Sequence, residues 1–147
     1  MQNAVEEGGR VGPHLKITRR GSSMALHLPS GRAIHYHGMR WEKYAAPTGR
    51  KEGWRYNNPR QAGRIATYGG RLTENATQAV ARDIMGEALV RLHDRGYTIA
   101  AHVHDEILVE GEHDVGTISK IMCELPAWAD GLPIDGAGFV CNRYQKG

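Results

Sequence analysis

The stretch from Leu72 to Arg95 constrains the fold more than any other part of the chain. Leu72, Ala76, Ala79, Val80, Ile84, Ala88 and Leu92 recur at three- and four-residue intervals, the period of a helix that buries one side. Asp94-Arg95-Gly96 ends the pattern, and Gly96 suits the left-handed position that follows a helix. Arg71, Asn75 and Gln78 are spaced four and three apart, which lines them on one helix face. Two β-rich runs come next, Tyr97–Val103 and Ile107–Glu110, separated by His104-Asp105-Glu106. They read as a hairpin over 97–110 with His-Asp at its tip. Val115, Ile118, Ile121, Met122 and Leu125 describe a second amphipathic helix at about 114–125, stopped by Pro126. Phe139-Val140-Cys141 reads as a last short strand.

The first half is less regular. Residues 1–12 are polar and glycine-rich and read as a helix remnant or a flexible arm. Met24, Leu26 and Leu28 share one strand face, Pro29-Ser30-Gly31 is a turn signal, and Ala33–Tyr36 resumes the extended pattern. Residues 24–37 are therefore expected to form a β-hairpin. In 38–71, Trp41, Tyr44, Trp54, Tyr56 and Tyr68 alternate irregularly with eight Lys/Arg residues, and Pro, Gly and Asn punctuate the run. That stretch is expected to be loop-rich. Cations among aromatic faces suit a nucleic-acid backbone and its bases; a solvated loop with packed aromatics explains the same composition. The fold class expected is α+β, with an antiparallel sheet built on the 97–110 hairpin and the helices packed on one face.

A length of 147 residues corresponds to about one domain. The net charge of +3 conceals a division: residues 1–71 hold 13 Lys/Arg against 4 Asp/Glu, and residues 72–147 hold 6 against 12. The basic half suits a polyanion. No apolar run nears the roughly 20 residues of a membrane span, and MQNAVEEGGR has no apolar signal core. Cys123 and Cys141 have no ligand-like spacing and read as reduced thiols. A cytoplasmic protein is expected.

His104-Asp105-Glu106 between apolar strands is the unusual chemical feature. Adjacent carboxylates on a buried hairpin need compensation, and a divalent metal supplies it; Mg²⁺ takes one or two carboxylates plus substrate phosphates. A polar turn in solvent is the equally weighted alternative. A third reading uses His102 and His104, two apart on an extended segment, with Asp105, as an H-x-H-D zinc site of a hydrolase. His35 and His37 form another such pair.

Thr67–Asn75, Gln78-Ala79, Ala81-Arg82-Asp83 and His102–Glu106 together resemble the late palm of family A, polymerase I-like DNA polymerases, the phage-type members above all. Leu28–Arg32, Trp128–Pro133 and Gly138-Phe139 extend the resemblance over most of the chain from about residue 25. The resemblance implies that Asp105 is the motif C aspartate that binds catalytic Mg²⁺, that Glu106 is its supporting carboxylate, and that His104 lies near the primer terminus. It implies that Asn75 and Gln78 touch the nascent pair or the primer, and Arg71 resembles the arginine that precedes them and is assigned to a phosphate contact. Asn75 and Gln78 are three apart here, where many bacterial relatives have four. Arg60 and Arg64 are assigned to phosphate contacts within the basic segment.

The 147 residues contain neither the second metal-binding aspartate of motif A nor a fingers helix for the incoming triphosphate. Two-metal phosphoryl transfer needs ligands from both sides of the site. The expectation is a partial palm domain over 13–147 that works with primer-template DNA, deoxynucleoside triphosphates and a second polymerase chain carrying motif A and fingers, and is inactive alone. A non-catalytic DNA-binding remnant is the alternative within the same resemblance.

Overall fold

Alternation of apolar residues builds the first strands of the chain. In the computed structural model, which describes residues 2–58, 60 and 62–145, Ile17 pairs with Leu26 and Leu26 with Ile34 across neighbouring strands. Met24 pairs likewise with Tyr36. Ile17, Met24, Leu26 and Tyr36 are buried, so period-2 placement puts one face of the strands into the core.

The chain divides into two units, one up to Val80 and one from Ala81. The first begins with a short helix α1 (Gln2–Glu7) and continues as β1 (Gly9–Val11), β2 (Leu15–Arg20), β3 (Ser23–His27), β4 (Ala33–Ala46), β5 (Gly49–Asn57) and β6 (Arg64–Thr67). These form one six-stranded antiparallel meander in sequence order. Helix α2 (Gly69–Asp94) follows. Its first turns place Leu72 and Ala76 against a core of Val5, Ile17, Met24, Leu26, Leu28, Tyr36, Met39 and Trp54. The N-terminal segment is thus held in place: Val5 is buried and β1 pairs with β2. The helix among the two earlier possibilities is the one observed, and the strand after it was not foreseen.

The expectation of a loop-rich 38–71 is corrected. Gly38 falls at a bulge, Pro47 in the Pro47-Thr48 turn and Asn58 and Gly63 in the 58–63 connection, while Gly53 and Asn57 are paired within β5, so two long paired strands remain. An antiparallel strand pair can leave one face to solvent, so at most every other residue needs to be apolar. Gly38 sits at the bulge, where the β4–β5 register shifts between His37 and Arg40. Its φ is +63°, and a Cβ there would lie 2.7 Å from Asn57 Nδ2 and 3.2 Å from Arg64 Nη1.

The wet face carries a charge problem that Glu42 solves. Arg40 and Arg55 stand directly opposite each other, a repulsive arrangement. Glu42 accepts from Arg40 Nε at 2.7 Å, Arg55 Nη1 at 3.1 Å and Arg64 Nε at 2.8 Å. Hydrogen bonding from Arg40, reinforced by Arg64, holds the Glu42 carboxyl below its ordinary range although partial desolvation opposes it. A depressed carboxylate stabilises the fold above its unfolded pKa of about 4.3 and loses that contribution as pH falls through the lowered value. Glu42→Gln is therefore expected to be less stable than the parent at neutral pH, with the gap closing as pH is lowered from neutral through and below about 4.3. Circular-dichroism melts across that range test this; a constant gap would refute it.

In the second unit, Ile84, Ala88 and Leu92 of α2 are buried together with Ile121 and Ala129. Gly96 ends α2 as expected: its φ is +84°, its N–H donates to His93 O at 2.9 Å and that of Tyr97 to Leu92 O at 3.1 Å, the Schellman pattern. Strands β7 (Thr98–Val103) and β8 (Glu106–Glu110) pair with each other alone, as a two-stranded sheet. Helix α3 (Val115–Met122) starts at Asp114, whose carboxylate accepts from the Thr117 N–H at 2.7 Å. It stops short of the expected end near 125. Arg91 and Arg95 of α2 reach its far end: Arg91 Nε donates to Ile121 O at 3.3 Å, and Arg95 forks onto Glu124 at 2.7 and 2.8 Å.

Two further expectations are corrected. The principal sheet is the N-terminal meander, not one built on the 97–110 hairpin, and β7 is exposed along nearly its whole length. Phe139-Val140-Cys141 forms no strand; Phe139 and Val140 are exposed. Apolar residues make a strand only where a neighbour offers ladder partners.

Candidate functional site

Val103 pairs with Glu106, so His104 and Asp105 form the two-residue turn between β7 and β8. His104 alone among the described non-glycine residues has positive φ, +54°. Positive φ at the first of two turn positions only is the pattern of a type II′ hairpin turn, in which glycine normally stands there. A histidine in that conformation costs about 1–3 kcal/mol. The turn lifts Asp105 into solvent while Glu106 begins β8, half-buried. Tyr144 Oη donates to Glu106 Oε2 at 3.0 Å. That bond to a carboxylate is the main reason the Tyr144 hydroxyl is raised above its ordinary pKa.

The assumption of a buried tip is corrected: His104 and Asp105 are both exposed, so escape from desolvation does not by itself demand a cation. The zinc geometry is corrected too. His104 lies in a left-handed turn, so strand alternation does not carry it to the side of His102. His102 Nε2 instead lies 3.5 Å from Arg82 Nη2 of α2. Among the described residues no three of His, Cys, Asp and Glu gather as a ligand group, whereas a zinc hydrolase needs three. Asp105 on the open turn and Glu106 beside it at the start of β8 are donors of the kind Mg²⁺ takes, with waters and substrate phosphates filling the rest of its shell.

In the first unit, Arg71, Asn75 and Gln78 lie on α2 but in unequal surroundings. Arg71 is exposed, with Nη1 donating to Ala66 O at 3.2 Å. Asn75 is half-buried and its Nδ2 donates to Tyr36 Oη at 2.9 Å. Burial raises the Tyr36 hydroxyl above its ordinary pKa, and the Asn75 bond partly opposes the rise. Gln78 is exposed, with Nε2 3.4 Å from Glu74 Oε1.

Arg60 is exposed in the 58–63 connection. Arg64 is already engaged within the sheet. Its guanidinium donates to Asn57 Oδ1 at 2.8 Å, Gly38 O at 2.6 Å and Arg55 O at 2.7 Å, besides Glu42. These bonds make it a clamp on the β4 bulge, and a phosphate would have to compete with them.

The sheet also creates a feature that the sequence did not announce. Trp41 of β4 faces Trp54 of β5, with rings edge-to-face at 5.8 Å. With Thr67, Tyr68 and the start of α2 they line an open groove of about 460 Å³. Trp41 Nε1 donates to Glu52 Oε1 at 2.6 Å. Trp54 Nε1 and Thr67 Oγ1 are buried with no hydrogen-bond partner. The aromatic residues were visible in the sequence, but the pairing of 41 with 54 depends on the strand register.

No protein-family profile matches the chain, and no solved structure matches it. Among the described residues no helix is long and apolar enough to cross a membrane. The chain is 38% identical over 130 residues to a DNA polymerase of Bacillus phage SP02, with 82% of this chain and 19% of that protein covered. It thus spans about a fifth of the length of the curated relative it matches, and over that span it is related to a phage DNA polymerase.

Proposed function

We propose that these residues form the late palm portion of a family A-type DNA polymerase and contribute the motif C carboxylates to nucleotidyl transfer. The observation that carries this reading is the His104-Asp105 turn directly beside Glu106, in a chain related to a phage DNA polymerase. Bound Mg²⁺ would lower the pKa of the primer 3′-hydroxyl and stabilise charge on the phosphates. Asp105 and Glu106 would hold the ion, and the Tyr144 hydroxyl keeps Glu106 oriented. His104, Asn75 and Gln78 act at the primer terminus and nascent pair, and Arg71 and Arg60 at the DNA backbone. Arg64 supports the sheet beneath. Primer-template DNA and deoxynucleoside triphosphates are the partners, in the cytoplasm of a phage-infected or prophage-carrying bacterium.

Asp105 and Glu106 are too few to hold two ions and orient a triphosphate. A second carboxylate set and the triphosphate-binding helix come from polypeptide outside these 147 residues. The purified chain is expected to show no primer extension with Mg²⁺ and all four deoxynucleotides, and to gain it when the missing segment is supplied. Templated extension by the chain alone would overturn the incompleteness, and none after complementation would overturn the polymerase reading.

A further inference from the structure

The groove between Trp41 and Tyr68 is a second candidate site, within the first unit and apart from the carboxylate turn. Trp41 is 46% exposed and Tyr68 65% exposed, unusual for large aromatic side chains, which normally bury most of their surface. Their positions are built. Trp41 is held through its Nε1 by Glu52 at 2.6 Å. Tyr68 lies against Gly70, where a Cβ would come within 2.8 Å of its ring. Trp54 and Thr67, which also line the groove, are only 8% and 6% exposed. Trp54 Nε1 and Thr67 Oγ1 nevertheless lack any hydrogen-bond partner. Buried polar groups are nearly always satisfied, so a donor beside a donor-acceptor hydroxyl invites the polar edge of a ligand. Lys51 and Arg71 add positive charge to the lining.

We infer that this groove takes an unpaired nucleobase of single-stranded DNA, stacked on Trp41 or Tyr68, with its polar edge toward Trp54 Nε1 and Thr67 Oγ1 and its phosphate toward Lys51 and Arg71. An aromatic face supplies sequence-tolerant stacking, and the cations track the backbone. Glu52 is also in the lining, but its carboxylate is engaged by Trp41. The choice of DNA as occupant rests on the polymerase reading; the chemistry of the groove does not.

The test uses the purified chain and a fluorescently labelled oligothymidylate of about eight nucleotides, compared with an abasic strand of equal length at one salt concentration. The base-bearing strand is expected to bind about 5- to 100-fold tighter by anisotropy. Trp41→Ala and Tyr68→Ala should each shrink that ratio, while Lys51→Ala weakens both strands and preserves it. Equal affinity of the parent protein for both strands overturns the inference without any variant, and so does a ratio left unchanged by both Trp41→Ala and Tyr68→Ala. The ratio is read without catalysis. A failed complementation leaves it standing, and its absence leaves the carboxylate turn untouched.

Discussion

Asp105→Asn is expected to lower primer extension by a thousandfold or more once the missing active-site segment is supplied. The amide keeps the shape of the side chain and removes the charge that would hold Mg²⁺. Metal stabilisation of developing charge in phosphoryl transfer amounts to several kcal/mol, and a thousandfold corresponds to about 4 kcal/mol. Asp105 is exposed at a turn, so the substitution removes no packing and the fold should persist, as circular dichroism would show. Glu106→Gln should cost less, because Glu106 is the supporting carboxylate on this reading. His102→Ala should cost little, since its ring lies off the turn, beside Arg82 of α2. The zinc reading forecasts the reverse for His102. Near-normal extension by Asp105→Asn would end the assignment of this turn to metal binding.

Gly38→Ala is expected to destabilise the first unit by about 2–3 kcal/mol, near the upper end of single substitutions. Two costs combine. A left-handed backbone is unfavourable by roughly 1–2 kcal/mol for a residue with a Cβ. The new methyl group would also stand 2.7 Å from Asn57 Nδ2 and 3.2 Å from Arg64 Nη1. Those two groups are bonded to each other's side chains, and Arg64 is bonded to Gly38 O as well, so neither moves without breaking the clamp. The expected readout is a fall of about 6–12 °C in the melting transition. A shift under about 2 °C would mean that the bulge relaxes freely and that Arg64 does not hold it.

Parts of the molecule were legible because their signals are local. The apolar period of Leu72–Leu92 and the need for a left-handed residue at Gly96 operate within a few turns of one helix, and both appear as read apart from a start three residues earlier. The alternation of Met24, Leu26 and Leu28 likewise reports a single buried face. The turn at His104-Asp105 was placed by the runs that flank it. Its left-handed histidine was not, because nothing in the residue type asks for that conformation.

Tertiary structure alone decided the rest. Residues 38–71 look like loop because their strands keep one wet face and are held by non-local bonds: Glu42 gathering three arginines, Arg64 tying the bulge, Trp41 opposite Trp54. Apart from the Arg40–Glu42 pair, each joins residues far apart in the chain, and composition shows only a basic, aromatic run. The same non-local pairing engaged Arg64 as a clamp on the bulge, drew Asn75 to Tyr36, and left Trp54 Nε1 and Thr67 Oγ1 without partners in residues that line an open groove. Residue identity determined which chemistry was available, two adjacent carboxylates at a hairpin tip and cations among aromatic rings. Which of those groups remain exposed to a ligand depended on register and packing, which join residues distant in the sequence.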